Sequence, residues 1–287
     1  MKISSNKVKA IAAYFRQELK SHYAQDEIEN FIVYAFEKHL GFSRIDLILK
    51  AETSINESLL LRFNNIVKEL KQYKPIQYIL GEAMFYGIPL IVNEAVLIPR
   101  QETEELLRLI LQEKSATKHI NILDIATGSG CIAIALKKNI PNAIVSALDV
   151  SAQALAVAQA NATKHKLDIA FIKADIFTYG GNSNDKFDVI VSNPPYVLAS
   201  EKAMMHKNVL NYEPHLALFV SDSNALVFYE AISKFAKQRL NQKGKLYFEI
   251  NEALGNEMKI LLTENGFKNI VLKKDLNNKS RFIHCEV

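Results

Sequence analysis

The chain has 287 residues, of which 49% are hydrophobic and 23% charged, and its formal net charge is +4. This composition is typical of a globular protein. No apolar run approaches the roughly 18 residues of a membrane helix, which excludes a membrane-spanning protein. The modest net charge argues against a dedicated nucleic-acid binder. Since the two cysteines form neither a disulfide framework nor a metal pattern, and the charged first residues lack a signal-peptide core, we expect a cytoplasmic monomer that binds no metal, no membrane and no nucleic acid directly.

The first 73 residues predict a small all-helical domain. Apolar residues recur at helical spacing around Val8–Phe15, around Ile28–Phe36 and from about Ile55 to Tyr73. The segment has neither a His/Cys cluster nor a glycine-rich loop. We therefore expect a packing or docking domain that holds no catalytic groups.

Residues 74–97 predict a connector of short strands or a β-hairpin. Two runs rich in Ile, Tyr, Phe and Val flank Gly81 and Gly87, and residues of these types favour strands. We expect this segment to join the helical domain to a second domain over residues 98–287.

Residues 98–287 alternate between strand and helix patterns, which predicts an α/β fold with a doubly wound, mostly parallel sheet of seven strands. The last two strands follow each other too closely for a crossover helix, so we expect them to pair antiparallel. The predicted strands are about Ile120–Ile125, Ala143–Leu148, Ile169–Ile172, Phe187–Ser192, Lys245–Ile250, Ile270–Lys274 and Phe282–Val287. The predicted helices are about Glu102–Lys114, Cys131–Lys138, Ser151–Lys166, Leu226–Leu240 and Asn256–Asn265.

A glycine loop, residues 126–130, follows the first predicted strand of the sheet. Gly128 and Gly130 permit a tight turn and close backbone approach by a ligand, and the helix that begins there presents free N–H groups. Asp149 ends the second strand, nineteen residues after Gly130, where an acid can accept hydrogen bonds from both hydroxyls of a ribose. Ser151 is placed to cap the next helix. The same spacing also fits the dinucleotide fingerprint, so this loop alone leaves the cofactor open.

Two further acids favour S-adenosylmethionine over a dinucleotide. Asp124, just before the loop, suits a ligand with an ammonium and a sulfonium group but would repel a pyrophosphate. Asp175 follows the third strand, where an adenine amino group needs an acceptor, and Ile176 or Phe177 is placed to pack on the ring. The predicted cofactor-binding residues are Ala126, Thr127, Gly128, Ser129, Gly130, Asp149, Asp175, Ile176 and Asn193.

A proline turn, Asn193-Pro194-Pro195-Tyr196, follows the fourth predicted strand. Ligands of open α/β sheets bind beyond the carboxyl ends of the strands, so this turn belongs at the same edge as the glycine loop. The prolines remove two N–H donors and stiffen the backbone, which leaves the oxygens of Asn193 and Pro194 to accept the two hydrogens of an NH₂ group. Tyr196 offers a flat face to a planar group. The pattern predicts methyl transfer to a planar amide or aromatic amine, with Asn193, Pro194 and Tyr196 as catalytic residues and Pro195 also contacting substrate.

With these motifs in place, the chain resembles the PrmC/HemK family of release-factor glutamine methyltransferases, and the likeness covers nearly its whole length. The proline turn matches the family's substrate motif, and Asp124–Gly130 matches its cofactor loop, although Ala126 stands where many members have glycine. Ile98–Glu104 is similar to another family segment, with Gln101 in place of the usual proline. Further similar segments are Lys74–Gly81 and Tyr212–Leu218.

The resemblance implies a class I methyltransferase sheet, S-adenosylmethionine as cofactor, and N5 methylation of the glutamine in the Gly-Gly-Gln motif of peptide chain release factors. It also implies that the helical domain helps to dock the release factor. In this family's pattern, Asn193 and Pro194 hold the glutamine amide, Tyr196 packs beside it, and Asp149 holds the ribose. Arg100 and Glu102 either line the pocket or begin a helix.

Three other functions fit parts of the pattern. A nucleic-acid methyltransferase acting on adenine N6 or guanine N2 would use the same acceptors on a flipped base, but the acidic stretch Glu102–Glu105 argues against it. A nicotinamide-dependent oxidoreductase leaves the proline turn unexplained. A non-catalytic binding module that keeps the cofactor fold predicts that Asn193 is dispensable.

Overall fold

The computed structural model describes residues 3, 5–113, 119–181 and 185–287. Contacts between Cα atoms divide the chain into two compact units. One, here called the helical unit, runs to Gly81 and also includes His206–Tyr212; the other, the sheet unit, comprises Glu82–Met205 and Glu213–Val287. Within the described residues, none of the helices combines the length and the apolar character that crossing a bilayer requires.

The helical unit is built from amphipathic helices whose apolar faces form one core, as the sequence predicts. Buried core residues include Ile11, Phe15, Ile32, Phe36 and Phe63. The helices preceding Gly81 are α1 Val8–Leu19, α2 Gln25–Leu40, α3 Arg44–Leu49, α4 Glu57–Leu70 and α5 Ile76–Leu80.

The chain around Gly81 differs from the prediction of strands on both sides. Ile76–Leu80 forms the short helix α5, which Pro75 precedes and which ends at Gly81 in the left-handed conformation, at φ +68°. A proline before the first turn and a left-handed glycine after the last are helix-boundary signals. The predicted hairpin is present but lies wholly after Gly81, as β1 Glu82–Phe85 and β2 Ile88–Ile91.

The sheet unit contains the predicted seven-stranded sheet. Its strands are β3 Asn121–Ile125, β4 Ile144–Asp149, β5 Ala170–Lys173, β6 Phe187–Ser192, β9 Leu240–Glu249, β10 Lys268–Lys274 and β11 Ser280–Glu286, and a separate parallel pair is β7 Val197–Leu198 with β8 Phe219–Val220. The strands lie in the order β10-β11-β9-β6-β3-β4-β5. Both β3 and β6 run parallel to their neighbours, whereas β11 runs antiparallel to both β9 and β10, which confirms the prediction for the last two strands.

Helices cover both faces of this sheet. Its helices are α6 Gln101–Glu113, α7 Cys131–Asn139, α8 Ala152–Lys164, α10 Val227–Arg239 and α11 Gly255–Glu264. Apolar residues of α6 and α7 pack on one face of the sheet together with the hairpin, and those of α10 and α11 pack on the other face. The predicted end of the first of these helices, Lys114, lies outside the described residues.

The strand order fixes where a ligand site belongs. From β3 the chain steps outward to β4 and β5, then returns to β6 on the other side of β3. This reversal opens a crevice beyond the carboxyl ends of β3 and β6. Ser192, the last residue of β6, donates a hydrogen bond of 2.7 Å from Oγ to the carbonyl oxygen of Ile125 at the end of β3. The two strand ends, and hence the glycine loop and the proline turn that follow them, are held side by side.

The sequence predicted no secondary structure between the proline turn and α10, where the structure has short elements. Besides β7 and β8, this stretch contains α9 Lys207–Tyr212, which belongs to the helical unit. There the Tyr212 hydroxyl donates to the carbonyl oxygen of Gln72 at 2.9 Å, and Lys207 Nζ lies 5.4 Å from the centre of the Tyr73 ring. Strands of two residues and a six-residue helix without a buried side chain carry too little apolar periodicity to be recognised in a sequence.

Candidate active site

A cavity of about 340 Å³ lies within the sheet unit at the crevice. Most of the predicted cofactor residues line it: Ala126, Thr127, Gly128, Ser129, Asp149, Asp175, Ile176 and Asn193. Pro195 also lines it, whereas Gly130, Pro194 and Tyr196 do not. The structure thus brings together residues from four strand ends that are up to 67 positions apart in sequence, from Ala126 to Asn193.

The glycine loop is held by backbone conformation and short-range hydrogen bonds. Ala126, Gly128 and Gly130 all have positive φ, at 60°, 56° and 79°. The Thr127 amide donates to the carbonyl oxygen of Leu148 at 3.1 Å, which ties the loop to β4. A Cβ at Gly130 would lie 3.1 Å from side-chain atoms of Ala158 and Ile134. Gly130 therefore allows close packing behind the loop, which is why it does not line the cavity.

Asp124 does not face the cavity, contrary to the expectation that its carboxylate meets the ligand. The side chain is fully buried and braces the loop, accepting hydrogen bonds from Thr127 Oγ1 at 2.6 Å and from the amide of Ala133 at 3.2 Å. Its Oδ1 has no hydrogen-bond partner among the described residues. Burial raises the pKa of Asp124 to about 7, the hydrogen bonds opposing this shift.

Asp149 occupies the predicted position at the end of β4 and lines the cavity. One carboxylate oxygen accepts from the amide of Gly128 and the other from the amide of Ser151, both at 2.9 Å. Burial raises its pKa, and these amide hydrogen bonds oppose the rise. Because each carboxylate oxygen has two lone pairs, both retain capacity for a further donor. Ser151 caps α8 as predicted, accepting from the amide of Ala154 at 3.1 Å.

An apolar wall closes one side of the cavity. Ile176 contributes to it as predicted, and the structure adds Phe228 and Ile232 from α10. The rings of Phe228 and Phe177 have centroids 5.1 Å apart. Asp175 is exposed at the rim, where its Oδ1 accepts from the amide of Phe177 at 3.0 Å. Phe228 and Ile232 lie four residues apart on one helical face, a pattern that in the sequence indicated nothing more than core packing.

A hydrogen-bonded chain fixes the side chains of the proline turn. Asn193 Nδ2 donates to Thr103 Oγ1 at 3.1 Å, and Thr103 Oγ1 donates to Glu249 Oε2 at 2.7 Å. The Tyr196 hydroxyl donates to the other oxygen of Glu249 at 3.0 Å. Burial raises the pKa of Tyr196 strongly, so its phenol stays protonated and acts as a donor. Thr103 and Glu249 were missed by the sequence analysis.

Arg100, whose role the sequence left open, lines the cavity. Its guanidinium pairs with the buried carboxylate of Glu213, which also accepts from the amide of Ile98 at 3.2 Å. The pair joins the segment before α6 to the segment that starts at Glu213, and Pro214–Ala217 of that segment line the cavity too. Glu102 lies in the first turn of α6 and is not a lining residue.

Comparisons with known proteins agree with this geometry. Two family models match the chain, the methyltransferase small domain over residues 101–216 and the PrmC N-terminal domain over residues 11–81. The release factor glutamine methyltransferase of Flavobacterium psychrophilum is 49% identical over 96% of this chain and 98% of its own length. The enzyme of that name from Bacteroides thetaiotaomicron is 40% identical over 95% of this chain and 98% of its own length.

Among solved structures, the T. thermophilus 16S rRNA N2 methyltransferase RsmC, in complex with AdoMet and guanosine, has a TM-score of 0.52. The match covers 71% of this chain and 49% of the RsmC chain at 17% identity, so it shows a similarity of fold alone. The two relatives, in contrast, match the sequence at high identity over both units. The chain belongs to the release factor glutamine methyltransferase family.

Proposed function

We propose that this protein transfers the methyl group of S-adenosylmethionine to the side-chain amide nitrogen, N5, of the glutamine in the Gly-Gly-Gln motif of peptide chain release factors. The single observation that carries the chemistry is the position of Asn193: its side chain lies at the cavity beside the glycine loop, with its amide group already held from behind. The names of the relatives supply the release factor and its glutamine as substrate.

The groups around the cavity fit S-adenosylmethionine, which supplies a methyl group bound to a positively charged sulfur. Asp149 would hold the ribose hydroxyls, since both its oxygens retain accepting capacity. Ile176, Phe228 and Ile232 would contact the adenine ring, with Asp175 at the rim as an acceptor for its amino group. The glycine loop would cover the amino acid portion through its backbone.

Asn193 and Pro194 would hold the substrate amide through both of its N–H hydrogens. An amide nitrogen is a poor nucleophile because its lone pair is delocalised into the carbonyl group. Two fixed acceptors orient this nitrogen and stabilise the positive charge that develops as it attacks. Orientation of reacting groups can lower a barrier by about 7–11 kcal/mol. Tyr196 is anchored through its hydroxyl, so its ring would give the turn a rigid side wall.

We further propose that the helical unit contributes to docking the release factor, and that the enzyme acts in the cytoplasm as a monomer without direct nucleic-acid contact. The modest net charge of +4 supports the absence of direct nucleic-acid contact. As part of this proposal, residues 1–73 form the docking domain, residues 74–97 the connector and residues 98–287 the methyltransferase domain.

The proposal is tested by incubating the enzyme with S-adenosylmethionine and purified release factor, followed by mass spectrometry of the Gly-Gly-Gln peptide. We expect a mass increase of one methyl group on the glutamine. A release factor with Gln→Asn in the motif is the matched control, because it keeps the amide but shortens the side chain. Ribosomal RNA and DNA are offered in parallel with labelled cofactor. Label confined to nucleic acid would refute the proposed substrate and favour an exocyclic-amine methyltransferase.

A further inference from the structure

We infer that Thr103 and Glu249 are positioning residues that set the orientation of the Asn193 amide, so that its Oδ1 and not its Nδ2 faces the substrate. Neither residue was predicted from the sequence, and the inference rests on the proposed function for the identity of the substrate. The hydrogen bonds that carry it are internal to the sheet unit.

The orientation follows from counting hydrogens along the chain of contacts. Burial raises the pKa of Glu249, and the hydroxyl groups of Thr103 and Tyr196 and the positive charge of Arg281 oppose this rise. In the ionised form that these groups favour, the carboxylate accepts hydrogen bonds and donates none. It receives the one hydroxyl hydrogen of Thr103, at 2.7 Å, and the hydroxyl hydrogen of Tyr196, at 3.0 Å. Thr103 Oγ1 has then no hydrogen left for its other neighbour and can act there as an acceptor alone. The group of Asn193 that lies 3.1 Å from it must therefore be the NH₂ group.

Burial makes this arrangement rigid. Thr103 and Glu249 are each at most 2% exposed, and a buried polar group left without a partner costs about 1–3 kcal/mol. The main chain of Glu249 is fixed as well, because its carbonyl oxygen accepts from the Tyr229 hydroxyl at 3.1 Å. Rotation of the Asn193 amide by 180° would place two acceptors, Oδ1 and Thr103 Oγ1, against each other.

The same count explains why residue 193 carries an amide and not a carboxylate. With a carboxylate at position 193, the single Thr103 hydrogen would be shared between a partly buried carboxylate and the fully buried one of Glu249, which also repel each other. A carboxamide at position 249 would reverse the donor and acceptor roles along these hydrogen bonds. Its oxygen would accept from Tyr196, its NH₂ would donate to Thr103, and the Thr103 hydrogen would turn to the carboxylate introduced at position 193.

The first test is therefore a double-mutant cycle with Asn193→Asp and Glu249→Gln, assayed for release-factor methylation. We expect Asn193→Asp to lower turnover about 10²-fold, as loss of a preorganised group does, and the added Glu249→Gln to restore at least about tenfold of it. Recovery of this kind is expected for groups coupled in one hydrogen-bond network. A double variant no more active than Asn193→Asp alone would overturn the inference.

The second test compares Thr103→Val with Thr103→Ser. Valine keeps the volume but removes the acceptor, so we expect turnover to fall at least about tenfold while cofactor affinity, by calorimetry, stays within about twofold. Serine keeps the hydroxyl and retains most of the turnover. Equal turnover in the two variants would overturn the inference. If Thr103→Val does not fold, the double-mutant cycle decides.

A third measurement does not depend on activity, and so separates this inference from the proposed substrate. In the NMR spectrum of the labelled enzyme, the Nδ2 proton of Asn193 that Thr103 accepts should be shifted downfield by this hydrogen bond. We expect the downfield shift to be kept in Thr103→Ser and reduced in Thr103→Val. An enzyme that shows this pattern but leaves release factors unmodified would refute the proposed function and keep the positioning role. Unchanged signals in Thr103→Val would refute the positioning role itself.

Discussion

The glycine loop and the proline turn lie at adjacent strand ends but are held in different ways. The loop is fixed by its own backbone and by near neighbours: Asp124 contacts Thr127 and Ala133, three and nine residues away. The proline turn is fixed by side chains from distant segments, since Asn193 reaches Thr103 across 90 residues and Thr103 reaches Glu249 across 146. The contacts that hold the glycine loop are thus closer in sequence than those that hold the proline turn, which depends on the completed fold.

This difference implies that the cofactor half of the site, around the glycine loop, and the substrate half, around the proline turn, can be disrupted independently. Changes in the proline turn should affect turnover and leave the cofactor site intact, whereas changes around the glycine loop should affect cofactor affinity or stability first. Parallel losses of both properties in every variant would contradict the comparison.

The largest effect is expected from Asn193→Ala. This change removes the acceptor aimed at the substrate amide, and loss of one such preorganised group costs about 10²–10³-fold in turnover. We expect the dissociation constant of S-adenosylmethionine, measured by calorimetry, to change less than threefold, within about 0.6 kcal/mol. Asn224→Ala, at an exposed site of the same unit, is the control and should behave as the unmodified enzyme. A comparable loss of cofactor affinity would show that the proline turn contributes to cofactor binding as well as to turnover.

Asp149→Ala tests the other half. The carboxylate holds the glycine loop through the Gly128 amide and, in the proposed site, the ribose. Hydrogen bonds to a charged group contribute about 1.5–3 kcal/mol each, so we expect cofactor affinity to fall about 10–100-fold. At saturating cofactor, turnover should recover to within a few-fold. Asp168→Ala, an exposed acid of the same unit, is the control. Unchanged affinity would exclude Asp149 from the cofactor site.

Asp124 gives the glycine-loop half a dependence on pH. Its pKa is about 7 in the folded chain against 3.8 for the free group, so between these values the folded protein holds a proton that the unfolded chain has lost. The free energy of unfolding therefore decreases as the pH rises from about 4 to about 7. The decrease has an upper limit of about 4 kcal/mol, at 1.36 kcal/mol per pKa unit.

Asp124→Asn should flatten this pH dependence, because the amide stays neutral and still accepts from Thr127 through its oxygen. Urea unfolding at several pH values, followed by circular dichroism, measures it. The exposed Asp168→Asn serves as the matched control and should leave the slope unchanged. If the slope survives in Asp124→Asn, another buried acid, such as Asp149 or Glu249, is responsible for it.

The same division explains what could be predicted from the sequence. The seven strands, their antiparallel end and the site residues Asp149 and Asn193 follow from periodicity and from spacing along the chain. Thr103 and Glu249 carry no such signal: Thr103 lies in the acidic first turn of α6, Glu249 is the last residue of β9, and the fold alone reveals that they meet. The ligand-facing role expected of Asp124 was wrong for a related reason, since a strand-end acid faces either the cavity or the loop behind it, and the sequence does not distinguish these.

The smallest expected effect concerns Ala126, which has a φ of +60°. The left-handed conformation costs a residue with a Cβ about 1–2 kcal/mol, and glycine loses about 0.5–1 kcal/mol more entropy on folding than alanine does. Ala126→Gly should therefore raise the free energy of unfolding by about 0.5–1 kcal/mol.

Gly128→Ala supplies the matched reverse exchange, because Gly128 has a φ of +56° and open space where a Cβ would lie. It should lower the free energy of unfolding by a similar amount, measured by urea unfolding without cofactor. Opposite signs at these two positions would show that the loop's backbone conformation, and not its side-chain contacts, sets the energy of the glycine loop. Neither exchange should alter the Asn193 amide signals, because the hydrogen bonds that hold that side chain come from α6 and β9. A shift of those signals in either variant would mean that the two halves of the site are coupled after all.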